Sequence, residues 1–165
     1  MAASCRYFPA TQSADLAELR LLIELPALRR LADRGLSGEE LALITKLADA
    51  TIRAARSGDV LGYLRADMVF HLYPLELTGD AAAVDVARLL LAPDPGREPS
   101  AEASDLAMVR DAREHRELVG MCADGMVSTA DRLLRLHLSR LSAHPTAHGI
   151  SAGPQHAGAA GAWHD

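Results

Sequence analysis

Asp67 and His71 stand four residues apart in the segment Ala66-Asp-Met-Val-Phe-His71. On a helix that spacing stacks two side chains on one face, with a rise of about 6 Å between them. The apolar stripe expected here is Val60, Leu64, Met68, Leu72 and Leu75, and Asp67 and His71 lie on or beside it. A carboxylate in that position is partly buried, which is costly unless it is paired or bound to a metal. Two more histidines fall on apolar stripes. His115 belongs to Met108, Ala112, His115, Val119 and Cys122, and His137 to Met126, Ala130, Leu133, His137 and Leu141. Both point inward if their helices pack as patterned.

The segments carrying His115 and His137 are joined by a very short break at Asp124-Gly125, so they are expected to be antiparallel neighbours. The mean of 115 and 137 is 126, which lies at that break. Each histidine is then roughly 15 Å from the turn, at the same height in the bundle. If Asp67 and His71 reach that height from a third helix, three imidazoles and one carboxylate meet. Such a set suits one divalent transition metal: zinc first, or nickel, manganese or iron. On an octahedral ion two positions stay open for water or a bidentate carboxylate, and on a tetrahedral ion none does. Taken singly, each histidine is as readily a core residue with an ordinary hydrogen bond. Spacing alone leaves both readings open. His144, His148, His156 and His164 fall on no stripe and are expected in solvent.

The elements that must position these residues read as helices. Residues 15–34 show apolar positions three or four apart (Leu16, Leu19, Ile23, Ala27, Leu31), interrupted by Pro26, where a kink or the first turn of a second helix is expected. Ser37-Gly-Glu-Glu40 is a capping-box signature opening a helix to about Arg56. A helix over 60–77 follows, with Pro74 expected to kink or shorten its end and to threaten the placement of His71. Thr78-Gly-Asp80 stops it, and a short helix covers 81–91. The proline-rich stretch 92–104 reads as a surface loop, and helices over 105–123 and 126–143 complete the set. Residues 1–14 read as an irregular lead and 144–165 as a disordered Gly/Ala/His tail. The expected fold is all-α, an antiparallel bundle of about six to seven helices over residues 15–143.

Bulk properties agree. Aromatic residues are only 4% against 49% hydrophobic overall, so the core must be aliphatic. The net charge of −5 offers no basic face of the kind that DNA binding by the chain itself would need. No run of apolar residues is long enough to span a bilayer. Two distant cysteines, Cys5 and Cys122, suggest no disulfide framework, so a cytoplasmic setting is expected.

These residues resemble a known pattern. The stretches Glu18-Leu-Arg20 through Ile23-Glu24, Leu31-Ala32, Asp59 through Tyr63, Asp67, Phe70-His71, Glu114-His115 and His137-Leu138 are similar to the FCD domain. That domain is the effector-binding and oligomerisation part of FadR-type GntR transcription regulators. The resemblance spans about residues 15–141. It implies that Asp67, His71, His115 and His137 hold the metal and that a small organic acid completes its coordination. It also implies that Arg20 pairs with a carboxylate of that acid and that the domain forms a homodimer. In the family a winged helix-turn-helix precedes this domain. Residues 1–14 carry no such pattern, so DNA contact is expected only through a winged-helix domain outside this sequence. Asp80 replaces the family's usual asparagine, and the stretch 92–99 is proline-rich where a longer helix is usual. The reading is therefore a ligand sensor and not an enzyme. Its alternatives are a stand-alone metal-dependent enzyme acting on a small carboxylate, and a dimerisation partner without its own DNA binding.

Overall fold

The computed structural model describes the backbone of residues 10–91 and 105–143. The expected loop over 92–104, the tail over 144–165, residues 1–9 of the lead and Cys5 lie outside the described residues. Six helices follow in order: α1 (Ala10–Arg34), α2 (Gly38–Arg56), α3 (Val60–Thr78), α4 (Ala81–Leu91), α5 (Asp105–Ala123) and α6 (Val127–Ala143). No strand occurs among the described residues. α1 begins at Ala10, so residues 10–14, expected to be irregular, form its first turns.

Local chemistry sets the helix ends. The Ser37 hydroxyl accepts from the Glu40 amide at 3.2 Å, and the Ser37 amide donates to Glu40 Oε2 at 2.8 Å, which is the reciprocal capping box expected from the sequence. Asp59 caps α3 by accepting from the Gly62 amide at 2.9 Å. Gly125 has φ 66°, a left-handed conformation that turns the chain between α5 and α6 while the Met126 amide bonds back to the Met121 carbonyl at 2.8 Å.

Neither proline breaks its helix. α1 runs through Pro26 as one element, which removes the reading of a second helix starting there. Pro26 and Leu22 are both exposed, so the carbonyl that loses its amide partner faces water. α3 likewise passes Pro74 and ends at Thr78, with Gly79 in the left-handed conformation as its cap.

α1 packs mainly on α6 and α3, α2 on α3 and α5, and α5 closes on α6. The stripe expected on α5 is buried along its whole length: Met108, Ala112, His115, Val119 and Cys122. On α6, Ala130 and His137 are buried and Leu133 partly so, joined by Leu134 and Leu138, while Met126, expected to open the helix, stands just before it and is exposed. The stripe expected on α3 is only half right. Leu72 and Leu75 are buried, but Leu64 is exposed and Val60 and Met68 are only partly covered; Tyr63, Phe70, His71 and Pro74 take the interior instead. α3 touches α1, α2, α4 and α5, so several faces need apolar residues and no single stripe marks the inside.

Candidate metal centre

Four side chains from three helices meet at the centre of the bundle. Asp67 and His71 come from α3, His115 from α5 and His137 from α6. One ligand-type atom from each lies within 4.8 Å of all the others. His115 Nε2 is 3.2 Å from His137 Nε2, and Asp67 Oδ1 is 3.3 Å from His115 Nε2 and 3.7 Å from His71 Nε2. His115 and His137 have no exposed surface, His71 is 3% exposed and the Asp67 side chain 13%. The hairpin geometry explains the meeting of α5 and α6, since the two histidines are equidistant from the turn.

Each imidazole is oriented through its other nitrogen. His71 Nδ1 donates to Glu24 Oε2 of α1 at 2.7 Å, and His137 Nδ1 to Glu114 Oε2 at 2.9 Å. Both carboxylates are ionised acceptors. Burial opposes the charge on Glu24, yet Arg20 and His71 hold its pKa down at about 2. Burial likewise opposes the charge on Glu114, but its bonds to His137 and Arg140 lower it. His115 Nδ1 lies 3.0 Å from the hydroxyl of Thr51 on α2, and that hydroxyl donates to the Ala48 carbonyl at 2.7 Å. The hydroxyl proton is thus committed, so His115 Nδ1 must be the donor. All three histidines therefore carry the proton on Nδ1 and turn an Nε2 lone pair towards the centre.

Two bare Nε2 lone pairs at 3.2 Å repel unless a cation or an extra proton lies between them. Burial pushes the His115 pKa down, against the pull of Asp67, so an extra proton there is disfavoured. Asp67 Oδ1 and His71 Nε2 are buried and have no hydrogen-bond partner among the described residues. Burial opposes the charge on Asp67, and only positive charge at His71 and His115 holds its carboxyl well below the usual range, a charge that an ion among the Nε2 atoms would supply in their place. An ion with bonds of about 2.1 Å spaces neighbouring donors by about 3.0 Å if octahedral and about 3.4 Å if tetrahedral. The three close separations of 3.2, 3.3 and 3.7 Å match that scale. The residues fit a divalent metal.

A family model described as the FCD domain matches residues 15–140. The chain belongs to the FCD domain family. It is thus an effector-binding, regulatory domain of the GntR type. No curated protein and no solved structure matches the chain. Among the described residues of this FCD domain, no helix is long and apolar enough to cross a membrane.

Of the residues singled out in the sequence, Asp67, His71, His115 and His137 come together. Arg20 stands beside them, its Nε donating to Glu24 Oε1 at 2.6 Å and its charge felt by Asp67 and His115. Three orienting residues were not foreseen. Glu24 had a signal, since it follows Arg20 by four residues on one helix face. Glu114 gives no such signal, because chain neighbours on a helix project in different directions. It is buried nevertheless, because α6 covers the adjacent face of α5 and supplies both His137 and Arg140 as partners. Thr51 had no sequence signal, because its partner is 64 residues away.

Proposed function

We propose that this FCD domain binds one divalent metal through Asp67, His71, His115 and His137, and through that site a small organic acid, as the sensing part of a GntR-type regulator. The observation that carries the reading is the common orientation of three Nδ1-held imidazoles whose Nε2 atoms face one carboxylate oxygen. Held rings of this kind are the usual companions of metal ligands, because the second hydrogen bond fixes tautomer and direction. The donor set suits zinc first, with nickel, manganese and iron as alternatives. When bound, the ion supplies an electrophilic centre on which a carboxylate can be fixed.

The chain's own residues do the rest. Arg20 engages Glu24 through Nε, while its Nη2 is buried and has no hydrogen-bond partner among the described residues. A guanidinium so held keeps one edge for the protein and offers the other to an anion. Glu24 joins the two halves of the site, accepting from Arg20 with one oxygen and from His71 with the other. Ligand contact at Arg20 is thereby tied to the position of α3. A sensor needs a ligand with different affinity for two arrangements, and this link gives the acid a lever on helix packing. Pairing of two such domains, with helix shifts passed between them, belongs to the same reading and draws on the family.

A thermal-shift screen of short carboxylic acids tests it, run on metal-loaded and on chelator-stripped protein. The expected result is a rise in Tm with at least one acid that disappears on stripping. No acid-dependent rise in the metal-loaded protein would sink the sensor reading.

A further inference from the structure

The three imidazoles of the centre are not held alike. His115 Nδ1 meets a neutral hydroxyl, that of Thr51. His71 and His137 each donate from Nδ1 to a buried carboxylate, and each carboxylate accepts from an arginine with its second oxygen. Two chains of the same order result: Arg20–Glu24–His71 and Arg140–Glu114–His137. They are built differently. In the first, arginine and carboxylate share α1 and reach across to α3. In the second, Glu114 stands on α5, while His137 and Arg140 lie three residues apart on one face of α6 and both donate to it.

Their outer ends differ as well. The Arg20 side chain is 12% exposed and that of Arg140 27%. Arg140 sits in the last turn of α6. The second chain thus runs from a group in contact with water, through Glu114, to an imidazole with no exposed surface. Among the described residues the Glu114 side chain accepts from His137 and Arg140 only, and Arg140 bonds to Glu114 alone. A hydrogen bond fixes a ring only as firmly as its acceptor is itself fixed. With the guanidinium gone, Glu114 Oε1 is a buried charge without a partner. The carboxylate then turns towards water and takes Oε2 away from the His137 Nδ1–H.

We propose that Arg140 is a positioning residue of the metal centre: acting through Glu114, it keeps the His137 imidazole in the tautomer and direction that metal binding needs, so a partly exposed group at the end of α6 sets how tightly the ion is held. This rests on the metal-binding reading above. Groups behind a metal-bound histidine typically change affinity by about ten- to a hundredfold, and Arg140 stands one bond further out, which places it at the low end. The competing role for the same ion pair is a plain clamp of α6 on α5, which would stabilise the fold and leave the ion indifferent.

The test uses the full chain in five forms: natural, Arg140→Met, Arg140→Lys, Glu114→Gln, and the double variant Arg140→Met with Glu114→Gln. Zinc affinity is measured by chelator competition, the ligand field by the visible spectrum of the cobalt-loaded chain, and the fold by the urea midpoint of the metal-free chain. In Arg140→Met, zinc affinity is expected to fall about tenfold and the cobalt bands to shift. Arg140→Lys restores most of the affinity and the natural spectrum, because Arg140 uses a single nitrogen on Glu114 and an ammonium can replace it. The double variant binds zinc no more weakly than Glu114→Gln alone, since the two residues act in series. Should Arg140→Met not fold, Arg140→Gln, which keeps a donor without the charge, takes its place with the same results expected. Natural zinc affinity and cobalt spectrum in Arg140→Met, with a lowered urea midpoint, assign Arg140 to the clamp and overturn the proposal. Additive losses in the double variant also overturn it, because Arg140 would then act by another route. Failure of the natural chain to bind zinc overturns the proposal together with the reading beneath it.

Discussion

Thr51→Val tests whether the centre depends on the groups behind its ligands. Thr51 has no exposed surface, and its hydroxyl makes two contacts: it donates to the Ala48 carbonyl and accepts from His115 Nδ1. Valine keeps the volume and the branching, so no cavity opens. Ala48 lies in mid-helix, where its carbonyl accepts from the backbone, so the one group left without a partner is His115 Nδ1–H. Stranding a buried donor costs about 1–3 kcal/mol, which denaturant unfolding of the metal-free variant reads directly. The metal-loaded protein loses more. An imidazole no longer held in one tautomer is a poorer ligand, and loss of such a partner weakens metal binding by about ten- to a hundredfold. That range is about 1.4–2.7 kcal/mol, measured by competition with a chromophoric chelator. The two readouts separate two roles. A variant that loses stability but binds zinc within about twofold of the natural affinity would refute the reasoning, because Thr51 would then support the core and not the ligand.

Acid should weaken the metal-free fold. Unfolded glutamate takes up its proton near 4.5, whereas folded Glu24 does so only at about 2, so its contribution is full above 4.5 and is lost as pH falls towards 2. Asp67 and Glu114 act in the same direction, and the lowered His115 pKa starts the loss below 6.5. For Glu24 alone the loss by pH 3 is about 2 kcal/mol, and a urea midpoint that rises on acidification from pH 6.5 to 3 would contradict it. Ser37→Ala removes the hydroxyl half of the α2 capping box and should cost about 0.5–2 kcal/mol in urea unfolding with metal content unchanged; no cost would show the box to be decorative.

Much of this was legible in the sequence because the deciding signals are local. The capping box at Ser37, the break at Gly125 and the four-residue spacing of Asp67 and His71 each act within a few residues. The meeting of His115 and His137 needs only one short turn and a fixed rise per residue. What was not legible depends on which neighbours surround a helix. The inward face of α3 could not be read from apolar spacing because four helices cover it, and Tyr63 proved to be inside where Leu64 was expected. Glu114 is turned inward by α6, and Thr51 meets His115 only after α2 packs on α5. The prolines misled in a different way. At Pro26 the lost hydrogen bond faces water, so the helix continues without a buried orphan.

The central claim is that one cation lies among four named side chains. Metal analysis of the purified, extensively dialysed chain tests it most directly, beside His115→Ala and His137→Ala prepared in the same way. The account predicts one tightly held divalent ion per chain in the natural sequence and loss of that ion in both variants, with their helical content retained. A natural chain that takes up no ion even after equilibration with zinc, or variants that retain it in full, would contradict the account.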